Sequence, residues 1–342
     1  MSERLWVGSR KGLFELRGGK IAKHHFPGQP VSALLCDRDT GDTLYCALNL
    51  GHFGAKLWRS RDGGASWQEI ACPAYPKAEG GATLNQIWVL EKGEGLWAGT
   101  IPGGLFHSAD GGESWRLVES LWNRKERAEW FGGGADAPGI HSILVQGKSL
   151  TIAVSCGGVW KSPDNGASWE LAGAGMHAPY MPPEQAANPN IQDVHRIARC
   201  GAKPEVMWAQ HHGGVYRSTD GGMNFKSIGA SFGFGVAAHP RDPDTAWFVP
   251  AIKDELRYPA DGKLVVTRTR DGGRSFETLR EGLPQEHAYD LVYRHALEVD
   301  ASGERLAIGS TTGGLWLSAN GGDSWRCVSP HLPPIYCLRF GN

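Results

Sequence analysis

No stretch of this sequence approaches the roughly 20 consecutive apolar residues that a membrane-spanning helix needs. Met1-Ser2-Glu3-Arg4-Leu5-Trp6 runs into a strand-like segment without an apolar leader. A cytoplasmic location is the expectation that follows. An excess of charge of one sign is missing too: 35 Lys and Arg stand against 36 Asp and Glu, a net charge of −1. So balanced a surface argues against general binding to nucleic acid or to an anionic membrane. Cysteine is sparse and unpatterned. The seven (Cys36, Cys46, Cys72, Cys156, Cys200, Cys327 and Cys337) form no Cys-x-x-Cys motif and mostly lie in apolar runs. That is the setting of reduced core thiols rather than of a disulfide frame or a zinc knuckle. No Gly-x-Ser-x-Gly elbow and no phosphate-binding loop occurs. The glycine runs at 173–178 and 233–238 lack the βαβ surroundings of a dinucleotide site.

What is abundant is glycine, with 48 residues, and tryptophan, with 14, in a chain of 342. That pairing suggests many tight turns and many repeated aromatic anchors. One motif supplies both. Ser60-Arg-Asp62-Gly-Gly-Ala-Ser66-Trp67 returns as the segments starting at Ser108, Ser162, Ser218, Thr269 and Ser318, with Asp110, Asp164, Asp220, Asp271 and Asn320 at the third position. The spacings are 48, 54, 56, 51 and 49 residues, the length of one four-stranded propeller blade with variable loops. Asp followed by glycine makes a tight hairpin turn, in which glycine takes the positive φ and the carboxylate accepts backbone N–H bonds. The closing aromatic starts the next strand and packs between blades. Asn320 offers an amide oxygen for the same bonds, so its turn should persist.

Each motif follows a strand pair of period two, such as Leu96-Trp-Ala-Gly-Thr100 and Gly104-Leu-Phe-His-Ser108. The N-terminus carries the same pair without the motif: Leu5-Trp-Val-Gly-Ser9, then Gly12-Leu-Phe-Glu-Leu16. It lacks a first strand, and Ile335-Tyr-Cys-Leu-Arg-Phe340 matches the inner strands of the other blades. The expectation is an all-β, seven-bladed β-propeller with six motif turns, one domain over 1–342, closed by the C-terminal strand joining the N-terminal blade. Closure leaves no exposed edge strand.

These residues resemble the Asp-box (BNR) repeat proteins, a group that includes sialidases, xyloglucan-degrading enzymes, sortilin-type receptors and photosystem assembly factors. Within it, the sequence looks most like bacterial seven-bladed proteins often labelled exo-α-sialidase or BNR-repeat glycosyl hydrolase. The resemblance covers nearly the whole chain and implies a fold, since function lives in the loops. True sialidases resemble six-bladed propellers with an N-terminal Arg-Ile-Pro; here Arg10 and Arg17 lack that context, and Arg196-Ile197 continues into Ala198. Authentic sialidase activity is not expected.

The motif turns join strands three and four and mark one face; a functional site is expected at the opposite mouth. Aligning inner-strand starts puts Val31, Asn85, His141, His195, Phe234, Asp290 and Tyr336 in corresponding places, with Asp193 two residues before His195. Loops between strands two and three add Arg10, Lys11, His52, His211, His212, Glu255 and Arg257. Two readings stand: a small polar ligand or glycan bound there, or a water-filled channel with satisfied polar groups. His141, His195 and His211 with an acidic neighbour suit a divalent zinc, iron or copper ion; equally, they are channel histidines bonded to water and to Asp193 or Asp290. Asp193, Glu255 and Asp290 are the candidates for an acid and a base in glycoside chemistry, hydrolase or lyase. Trp122, Trp130 and Tyr180 lie in long loops, where they stack on a sugar or anchor the loop. Glycines 132–134 form either a lid hinge or a simple turn. The leading expectation is a small polar ligand, held directly or through a metal, at a histidine-rich mouth. The rivals are the carboxylate-run glycoside enzyme and a non-enzymatic scaffold with a protein partner.

Overall fold

The repeated motif folds as a self-bonded turn. In the first copy the Ser60 hydroxyl donates to Asp62 Oδ1 (2.7 Å) and accepts from the Gly64 N–H (2.8 Å). Asp62 in turn accepts from the Ser66 N–H (2.9 Å) and hydroxyl (2.5 Å). The last copy keeps the arrangement with an amide: Asn320 Oδ1 accepts from Ser318 and from the Ser324 N–H, while its Nδ2 donates to Ser324 Oγ. Five carboxylates and one amide therefore close six like turns, with the acceptor geometry that the sequence demands.

A computed structural model gives the surrounding architecture and describes residues 4–37, 39–77, 81–229 and 231–341. Seven four-stranded antiparallel sheets stand in a ring. Blade 1 takes Ile335–Phe340 as its inner strand, followed outward by Arg4–Ser9, Gly12–Arg17 and Lys20–His25. Leu5 pairs with Phe340 and Gly8 with Cys337, so the two ends of the chain share one sheet and the ring closes as expected. The inner strands of blades 2 to 7 are Val31–Cys36, Gln86–Gly93, Ile140–Gln146, Val194–Arg199, Phe232–Ala238 and Leu297–Val299.

Blades adhere through large apolar rings. Trp6, Trp97, Trp160, Trp208 and Trp247 are fully buried, and each removes on the order of 150–250 Å² from water. The second glycine of the first motif turn packs on the preceding blade. Gly64 has φ +81, and a Cβ there would stand 2.5 Å from the Trp6 ring. Buried arginines fix the same turns from the preceding blade: Arg59 donates to the Gly111 carbonyl (2.9 Å) and Arg268 to that of Gly321 (2.7 Å). The motif is thus a blade-to-blade wedge as well as a turn.

A second regularity positions the site. At the start of the inner strands a β-bulge inserts one residue into the pairing: Val31 to Ala33, Ile87 to Val89, Ile140 to Ser142, Val194 to Arg196 and, in the closing strand, Ile335 to Cys337. Blade 6 carries a longer shift, between Gly233 and Val236. A bulge re-aims the side chain it frees. The freed residues are Ser32, Trp88, His141, His195 and Tyr336, with Phe234 in the blade 6 interruption.

Candidate functional site

Loops from the face opposite the motif turns enclose a cavity of about 880 Å³ at the mouth of the channel. Its wall includes Ser32, Trp88, Phe234 and Tyr336 from the bulges, with Tyr293, Arg294 and His295 from the segment leading into blade 7. Phe53, Arg10 and Arg257 come from loops between second and third strands, Asn49 from the end of the second strand of blade 2, and Gly133, Gly134 and Ala135 from the loop between blades 3 and 4. Among the described lining residues there are three arginines and no carboxylate. Arg294 is nearly buried, its guanidinium 5.0 Å from the centre of the Trp88 ring and 5.1 Å from that of Phe234. Arg257 lies 5.5 Å from Phe234 and pairs with Asp254. Below the cavity the channel is crossed by side chains. His295 Nε2 donates to the His141 carbonyl (2.7 Å), and Arg196 donates to the Arg294 carbonyl.

One layer behind this wall lies a buried polar cluster. The His195 ring stacks on Phe234 with centroids 4.5 Å apart. Its Nδ1 contacts the Gly233 carbonyl at 2.5 Å, and its Nε2 lies 3.2 Å from Asp193 Oδ2. His212 Nδ1 is 3.5 Å from the same carboxylate oxygen, while the His212 N–H donates to the Asp193 carbonyl. Ser155 Oγ donates to Asp193 Oδ1 at 3.3 Å. Gly133 closes the cluster from the cavity side: a Cβ there would lie 2.7 Å from Cys156 Sγ and 3.1 Å from Asp193 Oδ1. Burial favours the neutral acid at Asp193, but the charges and hydrogen bonds of His195, His212 and Arg294 outweigh it and hold the carboxyl well below the usual range. Burial pushes the Cys156 thiol up, so it stays protonated.

The residues singled out from sequence divide clearly. Arg10, Phe234 and Tyr336 line the cavity, and Asp193 and His195 meet behind it. His141 sits at its bulge, fully buried with its ring edge-on to Trp88; burial lowers its pKa far below the usual histidine value, and its Nε2 has no partner. The other positions need correction. Asn85 is exposed and outside the wall, where Gln86 and Trp88 stand instead. Asp290 precedes the inner strand of blade 7 and accepts from the Thr312 hydroxyl. His211 turns into its own blade against Tyr216, with Nδ1 accepting from the Gly213 N–H, so His212 rather than His211 joins Asp193. Glu255 is exposed and pairs with Lys253. Trp122 and Trp130 anchor their loop. Arg127 covers the Trp122 ring at 3.6 Å, and the Trp130 Nε1 donates to Asn190 Oδ1 at 2.9 Å.

No protein-family model matches the chain. A xyloglucanase from Paenibacillus sp is 30% identical over 173 residues, 49% of this chain but 16% of that protein. Among solved structures, the GH74 xyloglucanase from Xanthomonas campestris superposes with a TM-score of 0.68 at 16% identity, over 96% of this chain and 53% of that one. YCF48 from Cyanidioschyzon merolae gives 0.56 at 15% identity, over 93% of this chain and 96% of that one. These structural matches establish the propeller fold. The chain spans about half or less of the length of the xyloglucanases that it matches.

Proposed function

We propose that this chain is a glycan-binding propeller of glycoside hydrolase type whose ligand occupies the mouth cavity. The observation that carries the reading is the composition of the wall: the rings of Phe53, Trp88, Phe234, Tyr293 and Tyr336 share it with the amides of Asn49 and Gln86 and with three guanidinium groups. Sugars offer apolar C–H faces to aromatic rings and hydroxyl pairs to planar donors, and a concave, mostly preformed site of this volume suits them. The partial sequence similarity to a xyloglucanase supports the same ligand class. A wall that holds three arginines and, among its described residues, no carboxylate of its own favours glycans that carry carboxylates.

Glycosidic hydrolysis takes two carboxyl groups across the scissile bond. Asp193 lies one layer behind Gly133 of the wall; Glu255 and Asp290 come from loops on the same face. Binding therefore has the stronger physical support, and cleavage requires the loop at 132–134 to move off Asp193. The test is calorimetric titration with a xyloglucan oligosaccharide and with an oligogalacturonide, followed by reducing-end release. Binding of either, weakened at least ~10-fold in Trp88→Ala by loss of one stacking surface, supports the reading. Absence of binding to both overturns it, as does binding that Trp88→Ala leaves unchanged.

A further inference from the structure

The cluster behind the cavity wall brings two imidazole nitrogens onto one carboxylate oxygen. The 2.5 Å contact between His195 Nδ1 and the Gly233 carbonyl requires a proton on Nδ1, because two lone pairs do not approach so closely. Nε2 then directs its own lone pair at Asp193 Oδ2, 3.2 Å away, and His212 Nδ1 faces the same oxygen at 3.5 Å. With both imidazoles neutral and their other nitrogens protonated, three electron-rich atoms converge within 4.8 Å of one another and leave room for a cation between them.

We propose that Asp193, His195 and His212 hold a divalent transition-metal ion of the zinc or iron(II) class, with a coordination position left open. Ligand atoms around a tetrahedral ion with bonds of ~2.1 Å lie ~3.4 Å apart, which matches the 3.2 and 3.5 Å separations about Asp193 Oδ2; the two imidazole nitrogens, within 4.8 Å of each other, would draw closer on the ion. Two imidazoles and one carboxylate are the donor set of such ions rather than of calcium or magnesium. The outer contacts also fit. His195 is oriented by a backbone carbonyl, as metal-bound histidines are, and Ser155 holds the second oxygen of Asp193. The bulge at His195 and the backbone bond from His212 to Asp193 fix all three residues on one rigid blade. His212 is 23% exposed at its side chain, which supplies an entry path. Arg294 is the rival cation: its charge also stabilises Asp193 from the cavity side. A lone Arg294–Asp193 pair, or a protonated His195, would satisfy the carboxylate without metal, so the experiment must read metal directly. This site is independent of the glycan reading, since it is formed whether or not the cavity is filled.

The test uses the full chain without a histidine tag, freed of metal by chelation and then dialysed against zinc(II), with cobalt(II) as an optical probe. The expected result is about one equivalent of zinc per chain, a ligand-field spectrum for cobalt, and a melting temperature that rises with zinc concentration. His212→Ala, at a partly exposed position, lowers zinc affinity by at least ~10-fold. His195→Ala and Asp193→Asn do the same. His141→Ala and His211→Ala, whose imidazoles point elsewhere, keep one equivalent. Wild-type protein that retains no zinc overturns the proposal, and so does a His212→Ala variant that binds zinc as tightly as wild type.

Discussion

Gly64→Ala is the sharpest probe of how the blades adhere. The residue lies at φ +81, and its new methyl would stand 2.5 Å from Cη2 of Trp6, a ring wholly buried between blades 1 and 2. A positive φ costs an L-residue about 1–2 kcal/mol, and displacing a close-packed ring adds about 1–3 kcal/mol. The expected loss is therefore about 2–5 kcal/mol. Gly63→Ala is the matched control: its φ is +63, but its nearest neighbour is Nη1 of Arg4 at 2.9 Å, the end of a flexible side chain. Only the backbone strain of about 1–2 kcal/mol applies there. Equilibrium unfolding in urea, read by tryptophan fluorescence, compares the two midpoints at unchanged slope. Equal midpoints would refute the idea that motif glycines are wedged against the neighbouring blade. Ligand titration should be unaffected in both, because these turns lie on the face opposite the cavity.

Further outcomes follow from the same geometry. Deleting residues 333–342 removes the buried Ile335, Cys337 and Leu338 and exposes two strand edges; size-exclusion chromatography should show aggregation, and a monomer with unchanged melting would contradict ring closure. Ser108→Ala strips the buried acceptor of the Gly112 N–H and should cost about 1–3 kcal/mol in urea unfolding, with no change in ligand affinity; an unchanged midpoint would contradict it. Burial lowers the His211 pKa to about 3, so below the unfolded-state value of about 6.5 the unfolded chain binds the proton first. Stability from this group is complete above pH 6.5 and falls as the pH drops towards 3, by about 3 kcal/mol at pH 4. His211→Asn should flatten that part of the pH–stability curve, whatever its effect at pH 7; an unaltered slope would refute the assignment.

The blades were legible because each rests on local chemistry. The Ser/Thr-x-Asp/Asn turns, the period-two strand pairs and the surplus strand at 335–340 each follow from residues close together in the chain. The channel wall was half legible. His141, His195, Phe234 and Tyr336 align with the bulged positions, whereas Asn85 and Asp290 do not. The signal that separates them is the β-branched residue just before most of the bulges: Val31, Ile87, Ile140, Val194 and Ile335. Counting from it points to Ser32 and Trp88 and passes over Asn85. Blade 7 offers no such anchor, because its inner strand begins at Leu297 after a long irregular segment; Arg294 and His295 were missed for that reason. The exchange of His211 for His212 is a matter of strand parity, one residue turning the side chain from the blade interior to Asp193. Trp122 and Trp130 illustrate a different limit. Whether a loop tryptophan faces a ligand or its own loop depends on distant partners, here Arg127 and Asn190.

The central claim is that ligand binds in the aromatic and arginine-lined mouth. Hydrogen–deuterium exchange of the full chain, with and without a saturating oligosaccharide, tests it most directly. The account predicts slowed exchange at 28–32, 49–53, 86–88, 133–135 and 293–295, whose residues wall the cavity, with the motif turns unchanged. Protection confined to the motif turns, or to the opposite channel opening lined by Arg196, Glu298 and Arg339, would contradict it.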